Sequence, residues 1–348
     1  MKIFLRVSLA ALLLVLGLAG GAGYLAWWAL ETPVNATENA TVIFTVESGE
    51  SLHGVTKRLE DENLVRWAQG AYYLARWQGL GVQAGEFELS PTMSARQILA
   101  VLDHGQPILH RLHFAEGRTM YEVAQAVQAT GLTTAERFLA ACTDQEYLRR
   151  HGINATNAEG YLFPETYFFP RIPEQNPYPI LDAILERFHA TLQEISPPLN
   201  ATALQEIVIL ASLVEKETAI AAERPRVAGV YAARLQLGML LQCDPTIIYG
   251  LGQAFDGNLT RAHLRDPGNP YNTYVHPGLP PGPICSPGKA ALQAAVRPEH
   301  HEYLYFVARP DGSHQFSRTL TEHNTAVIKY QRRGRPFPAA EPDSSRLH

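Results

Sequence analysis

The period of the apolar positions changes along this chain, and each change predicts an element. After MKIFLR, the residues from Val7 to Leu30 carry no charge. As a helix such a run is roughly 36 Å long, against a bilayer core of about 30 Å. A membrane-spanning helix is therefore predicted at 7–30, with Trp27 and Trp28 suited to a membrane interface. The run is longer than the apolar stretch of a typical cleaved signal. Lys2 and Arg6 precede it and Glu31 follows it, which puts 1–6 in the cytoplasm and the bulk of the chain outside. The polar stretch 31–42 has the composition of a tether.

Beyond it two segments share one pattern. FTVESGESLHGVTKRLEDENLV (44–65) and HFAEGRTMYEVAQAVQATGL (113–132) each read as a short strand, Glu with Gly, a Ser or Thr cap, then an amphipathic helix. Helical periods recur at 64–78 and 94–102, with a break at 79–90. This alternation resembles the LysM-like fold, a module that holds glycans of N-acetylglucosamine. A spacer of the same shape without sugar affinity is the other reading. YLYFVA, 303–308, alternates and is aromatic, as a strand does.

The most informative helix is ALQEIVILASLVEKETAIAAE, 203–223. At about 100° per residue, Leu210, Leu213, Val214, Ile220 and Ala221 share one face with Glu217. A carboxyl group there is costly to ionise, and burial should raise its pKa, leaving a proton donor at neutral pH. Glu215, about 160° around the helix, is expected to be solvated. The plainer reading of Glu217 is a structural carboxylate paired with Arg224 or Arg226. The stretch 242–287 is dense in Pro, Gly, Asn and Tyr, and is expected to be ordered loop rather than helix, wrapped against the Glu217 helix. EGYLFPETYFFP, 159–170, clusters aromatics around Pro164. Phe163 and Phe168 are expected in the core, and Glu165 is a candidate to orient a substrate.

Composition excludes more than it selects. A hydrophobic content of 46% over 348 residues supports two or three domains with real cores. The net charge of −5, with no basic block, argues against nucleic acid as a partner. Three cysteines, Cys142, Cys243 and Cys285, do not make a disulfide framework. Asn-x-Thr sequons at Asn35, Asn39, Asn154, Asn200 and Asn258 are the kind that arise by chance in Ala- and Thr-rich sequence. His300 and His301 are adjacent, but no HExxH or similar ligand spacing occurs, so no metal and no other cofactor is expected.

LASLVEKET, QCDPTIIYGLG, YNTYVHPGLPPGPICSPG, YLYFVA and GSHQFSRTLTEHN, with YLFPETY before them, resemble the endolytic murein transglycosylase family, also called YceG-like or MltG. The resemblance runs from the membrane span to about Tyr330. It implies an α+β protein with an N-terminal transmembrane helix, a LysM-like lobe and a helical, loop-rich catalytic lobe with short strands. The expected divisions are 1–6, anchor 7–30, linker 31–42, LysM-like 43–110, a connecting part with the second LysM-like half at 111–199, catalytic 200–333 and a disordered tail 334–348.

The resemblance also implies cleavage of the β-1,4 bond between N-acetylmuramic acid and N-acetylglucosamine inside nascent peptidoglycan glycan strands. The products would carry 1,6-anhydro ends, and elongation of the strands would be limited. It makes Glu217 the catalytic acid and implies work beside peptidoglycan synthases. Gln242, Tyr249, Asn272 and Tyr274 lie in its motifs and carry the amide and hydroxyl groups suited to sugars, as substrate-binding candidates or as loop-fixing ones. Asp244 reads as a backbone cap, and His323 and Asn324 as substrate-facing or structural. Cys243 and Cys285 stand where small polar or apolar residues are expected, and their pairing is open. Two rival readings are a lysozyme-type muramidase with Asp244 or Asp256 activating water, and a non-catalytic wall-binding protein.

Overall fold

The structure, a computed structural model, describes residues 2–37 and 40–331. The tail expected from 334, the sequon at Asn39 and the side chains of Lys2 and Arg6 lie outside the described residues. The first helix, α1 (Lys2–Glu31), is continuous, and its part Leu9–Glu31 is long and apolar enough to cross a membrane. The chain divides into two compact units: one runs to Arg111 and takes in Phe168–Asn176, the other comprises Leu112–Tyr167 and the chain from Pro177.

After α1 the first unit contains β1 (Val42–Val46), α2 (Leu52–Asp61), α3 (Ala68–Gln78), β2 (Gly85–Leu89) and α4 (Ala95–His104). The two strands are antiparallel, with Phe44 opposite Phe87, and both rings are fully buried. Ser51 caps α2 by accepting the Gly54 N–H at 3.1 Å, which starts the helix so that Val55 and Leu59, one turn apart, face the same core. Ile98, Leu99 and Leu102 of α4 close that core from a helix begun by a reciprocal Ser94–Gln97 capping box. Burying each large apolar side chain stabilises by about 1.5–3 kcal/mol. The expected break at 79–90 needs correction, because β2 lies inside it. GEFEL alternates Phe87 and Leu89 inward with Glu86 and Glu88, a period of two over only five residues.

The chain passes between the units in β3 (His110–His113) and again in β4 (Thr166–Phe169), and these two strands pair. Between them lie α5 (Met120–Ala129), α6 (Ala135–Cys142) and α7 (Gln145–Arg150). The second copy of the strand, cap and helix pattern forms here, with Thr119 and Glu122 as a full capping box. Next come α8 (Tyr178–Ile195), α9 (Ala201–Glu217), α10 (Arg224–Gln236), α11 (Asp244–Leu251), α12 (Arg261–Leu264) and α13 (Lys289–Val296). The hairpin of β5 (Tyr305–Ala308) and β6 (His314–Ser317) and then α14 (Leu320–Gln331) complete the unit. With helices and, among the described residues, three separate two-stranded sheets, the architecture is α+β.

Helix α9 organises the second unit. Asn200 caps it by accepting the Ala203 N–H at 2.9 Å. Val208, Ala211, Leu213 and Val214 are buried as it packs on α13, α10 and α11. Gly160, at φ +84°, lets the 159–170 segment approach α9: a Cβ there would come within 2.5 Å of Pro283 and 2.7 Å of Val208.

Three further expectations differ. The helix predicted to Glu223 stops at Glu217: Thr218 is extended, Ala221–Glu223 is a 3₁₀ turn, and α10 restarts with Pro225 in its first turn. Ile220 and Ala221 continued the apolar period without continuing the helix. The stretch 242–287 is not all loop, since Pro245 sits in the first turn of α11, where a missing N–H costs nothing. Phe168 is 58% exposed, because β4 alternates and turns Phe169 inward instead, while Phe163 is buried as expected.

Candidate active site

The end of α9 delivers Glu217 to a cavity of about 380 Å³ in the second unit, lined also by Arg234, Gln242, Asp244, Tyr274, Phe306, His314 and His323. The side chain is half-buried, with its open part toward the cavity. Its Oε1 accepts a hydrogen bond from the Tyr231 hydroxyl at 2.7 Å. Tyr231 is 1% exposed, and its ring meets Phe306 of β5 edge-on, at 6.0 Å between centroids. That contact couples the predicted strand to the Glu217 helix through α10. The fully buried Cys243 thiol is a second donor to the carboxylate.

Burial pushes the Glu217 pKa up, and the negative charge of Asp244 adds to the rise. The Tyr231 and Cys243 hydrogen bonds and the charge of His314 oppose it, and the net direction is upward. A carboxyl group so placed holds its proton toward neutral pH, which a general acid requires.

Neighbouring groups shape the cavity. Arg234, 7% exposed, spends its donors on backbone: Nε on Leu304 O at 2.7 Å and Nη1 on Leu241 O at 2.7 Å. His314 is tied by Nδ1 to Glu223 Oε2 at 2.7 Å. His323 stacks on Tyr305 at 5.3 Å, and Asn324 beside it is half-buried. Gln242 holds φ +53°, a left-handed conformation costly for a non-glycine residue. It is pinned there by its own N–H to Thr273 O at 3.1 Å and by Cys243 N–H to Thr273 Oγ1 at 2.9 Å. Asp244 is not a backbone cap: its Oδ1 accepts the Tyr274 hydroxyl at 2.6 Å across the cavity.

Of the sequence candidates, Glu217, Gln242 and Tyr274 meet in this cavity, and Tyr249 and Asn272 are elsewhere. The Tyr249 hydroxyl donates to Glu159 at 3.1 Å. Glu159 is buried beneath the Met120 N–H, and burial raises its pKa to about 7. Asn272 is fully buried and donates to the His263 and Asp266 carbonyls, which fixes the loop shape. Asp256 is bound by the Asn258 N–H, and Glu165 pairs with Arg187. Cys243 and Cys285 are both buried and free, so the pairing left open is not formed. Among the described residues, no group of three or more His, Cys, Asp or Glu is placed to hold a metal ion.

Glu215 reverses expectation. Its side chain is only 6% exposed, and it pairs with Arg224 at 2.8 Å and accepts the Gly288 N–H at 3.0 Å. The structural pair imagined for Glu217 thus belongs to Glu215. Sequence reasoning missed Tyr231, the buried donor to Glu217, and Arg234 and His314 of the cavity lining. Pro225 was the available signal, since it announces a new helix that carries the first two back over Glu217.

The hydroxyl of Tyr231 can be tested directly. Its hydrogen bond favours the charged form of Glu217, so Tyr231→Phe should raise that pKa further and move the alkaline limb of the pH–rate profile upward. Turnover should fall roughly tenfold, the worth of one hydrogen bond to a charged group. A purely structural role would lower the rate without moving the limb.

The profile of the YceG-like family matches residues 44–329. The chain is 29% identical over 328 residues to the endolytic murein transglycosylase of Bacillus subtilis, covering 89% of this chain and 90% of that protein. It is 26% identical over 373 residues to the protein of the same name from Streptococcus pneumoniae, covering 93% of this chain and 65% of that longer relative. A crystal structure of a YceG-like protein from Listeria monocytogenes superposes with a TM-score of 0.55 at 27% identity, covering 83% of this chain and all of that one. A match over most of its length, with the six motifs in order, establishes that this chain belongs to the YceG-like family.

Proposed function

We infer that this chain is an endolytic murein transglycosylase that cuts peptidoglycan glycan strands internally, with Glu217 as its acid and then its base. The observation that carries the reading is the Glu217 carboxyl, its pKa raised by burial, at the end of α9 in a cavity of about 380 Å³ that residues of the family motifs line. Two relatives bear that activity as their name.

The chemistry proposed is that of the family, with Glu217 in both proton-transfer roles. The glycosidic oxygen is a poor leaving group, and Glu217 gives it a proton as the C1–O bond breaks. The 6-hydroxyl of the same N-acetylmuramic acid attacks C1, and the carboxylate of Glu217 takes its proton. The new C1–O6 bond closes a 1,6-anhydro ring, the acid is regenerated and no water is consumed. Because the nucleophile is carried by the sugar, the entropic cost of ordering a second reactant is avoided. Gln242 and Tyr274 are proposed to contact the sugar, with Tyr249 and Asn272 holding the loop that presents Tyr274.

One observation favours a second reading. Asp244 lines the same cavity as Glu217, and a second carboxylate there is what a water-activating muramidase requires.

The helix Leu9–Glu31 supports a single-pass anchor in the cytoplasmic membrane, with the bulk outside. The strand, helix, helix, strand order of β1, α2, α3 and β2 supports a LysM-like first unit. Glycan-length control beside peptidoglycan synthases belongs to the same reading.

The test is digestion of un-crosslinked glycan strands by the full chain, with products sized over time. Strands of intermediate length appearing first are expected. Release of disaccharides alone from strand ends would overturn the endolytic reading.

A further inference from the structure

The outward face of α3 is aromatic and open. Tyr73 and Trp77, neighbours at i and i+4, are 61% and 82% exposed, and Trp67 at the helix start is 40% exposed. Large aromatics are this open on soluble surfaces mainly where a partner covers them. The Trp67 ring is held rather than loose: it lies against Gly70, where a Cβ would come within 2.2 Å of it. The helix AQGAYYLARWQ contains no acidic residue and carries Arg76, with Arg66 just ahead of it.

The same helix is tied to the end of α1. The Arg66 guanidinium sits 4.8 Å from the Trp28 ring centroid. Its Nη2 also donates to the Pro33 and Val34 carbonyls at 2.7 and 2.9 Å. Arg96 of α4 pairs with Glu31, the last residue of α1, at 2.6 Å. Leu30 packs on the core of the first unit, and α1 packs on both α3 and α4. The residues leaving α1 therefore do not behave as a free tether there. Where α1 ends, the folded unit begins, and α3 starts beside the exit point.

We propose that the α3 face formed by Trp67, Tyr73 and Trp77 beds into the headgroup region of the bilayer that α1 crosses, so that the first unit rests on lipid instead of swinging above it. The proposal rests on the anchor reading. Trp and Tyr suit this position because their apolar rings and polar N–H or O–H groups satisfy both sides of a membrane interface. Arg66 and Arg76 complement anionic headgroups. The consequence is a fixed standoff of the first unit from the membrane.

The chain has four tryptophans, Trp27, Trp28, Trp67 and Trp77, which makes single-tryptophan forms practical. Full-length protein keeping only Trp27, and protein keeping only Trp77, each with Phe at the other three positions, would be reconstituted in phosphatidylglycerol-containing vesicles with brominated acyl chains. The proposal expects loss of emission in both, with Trp77 responding to bromine near the headgroup end and shielded from aqueous iodide. Quenching of Trp27 with Trp77 unquenched and open to iodide would overturn the proposal and leave the anchor standing. A Trp77 signal that answers added glycan strands and not bromolipid would make the face a sugar platform, again against the proposal. No quenching of either would overturn both the anchor and the proposal. If the Trp77-only form fails to fold, Trp77→Ser in the native chain should remove part of the bromolipid-quenched emission, and an unchanged quenched fraction would contradict the proposal.

Discussion

Glu217→Gln should abolish glycan cleavage, with turnover falling by about 10²–10⁴-fold or more, the range that general acid catalysis contributes. The amide keeps the shape of the side chain and can still accept from the Tyr231 hydroxyl, but it can neither deliver a proton to the leaving oxygen nor take one from the 6-hydroxyl. Both half-steps fail together. The substitution should leave thermal unfolding close to wild type, because it removes no packing and relieves the cost of a carboxyl group held in a buried setting. Measured rates on un-crosslinked strands, set beside melting curves, check both halves. A variant that melts normally and cleaves within a few-fold of wild type would remove Glu217 from the chemistry.

The largest effect on stability is expected at the other glutamate of the same segment. Arg224 is 8% exposed and Glu215 nearly as buried, so Arg224→Ala should leave an unpaired buried carboxylate and cost about 3–5 kcal/mol. The Glu116 contact at 3.4 Å is more open and should matter less. Urea titration of the full chain would show a lower midpoint with an unchanged slope if the native state alone is affected. Replacing both partners, as Glu215→Leu with Arg224→Met, should recover much of the loss, since a buried pair costs heavily to break and little to replace with matched apolar groups. A single Arg224→Ala variant within 1 kcal/mol of wild type would mean that water reaches Glu215.

Some of this was readable in the chain, and the division has physical causes. The long apolar helix, the strand, cap and helix repeats and the α1 span all rest on contacts within a few residues, and period and cap chemistry report those directly. The exact end of α9 was not readable from period, because Ile220 and Ala221 continue the apolar stripe past the Thr218 break. The burial of Glu217 was anticipated for an incomplete reason. Its own helix face does not cover it; α10 and the start of α11, bringing Tyr231 and Cys243, do. Glu215 was misread because a helical wheel describes one helix, and Arg224 comes from the next. The proline-rich stretch hid α11 because Pro245 starts a helix as well as it breaks one.

The cavity joins Glu217 to Asp244, and the two readings of the chemistry differ by one molecule of water. Both predict cleavage, and both predict loss of activity in Glu217→Gln, so rates alone do not separate them. Mass spectrometry of the new strand ends does. A transglycosylase leaves 1,6-anhydro-N-acetylmuramic acid, made without added water, at the ends released by the full chain, and that is the expected result. Reducing ends, heavier by one water, would contradict it and make the protein a muramidase.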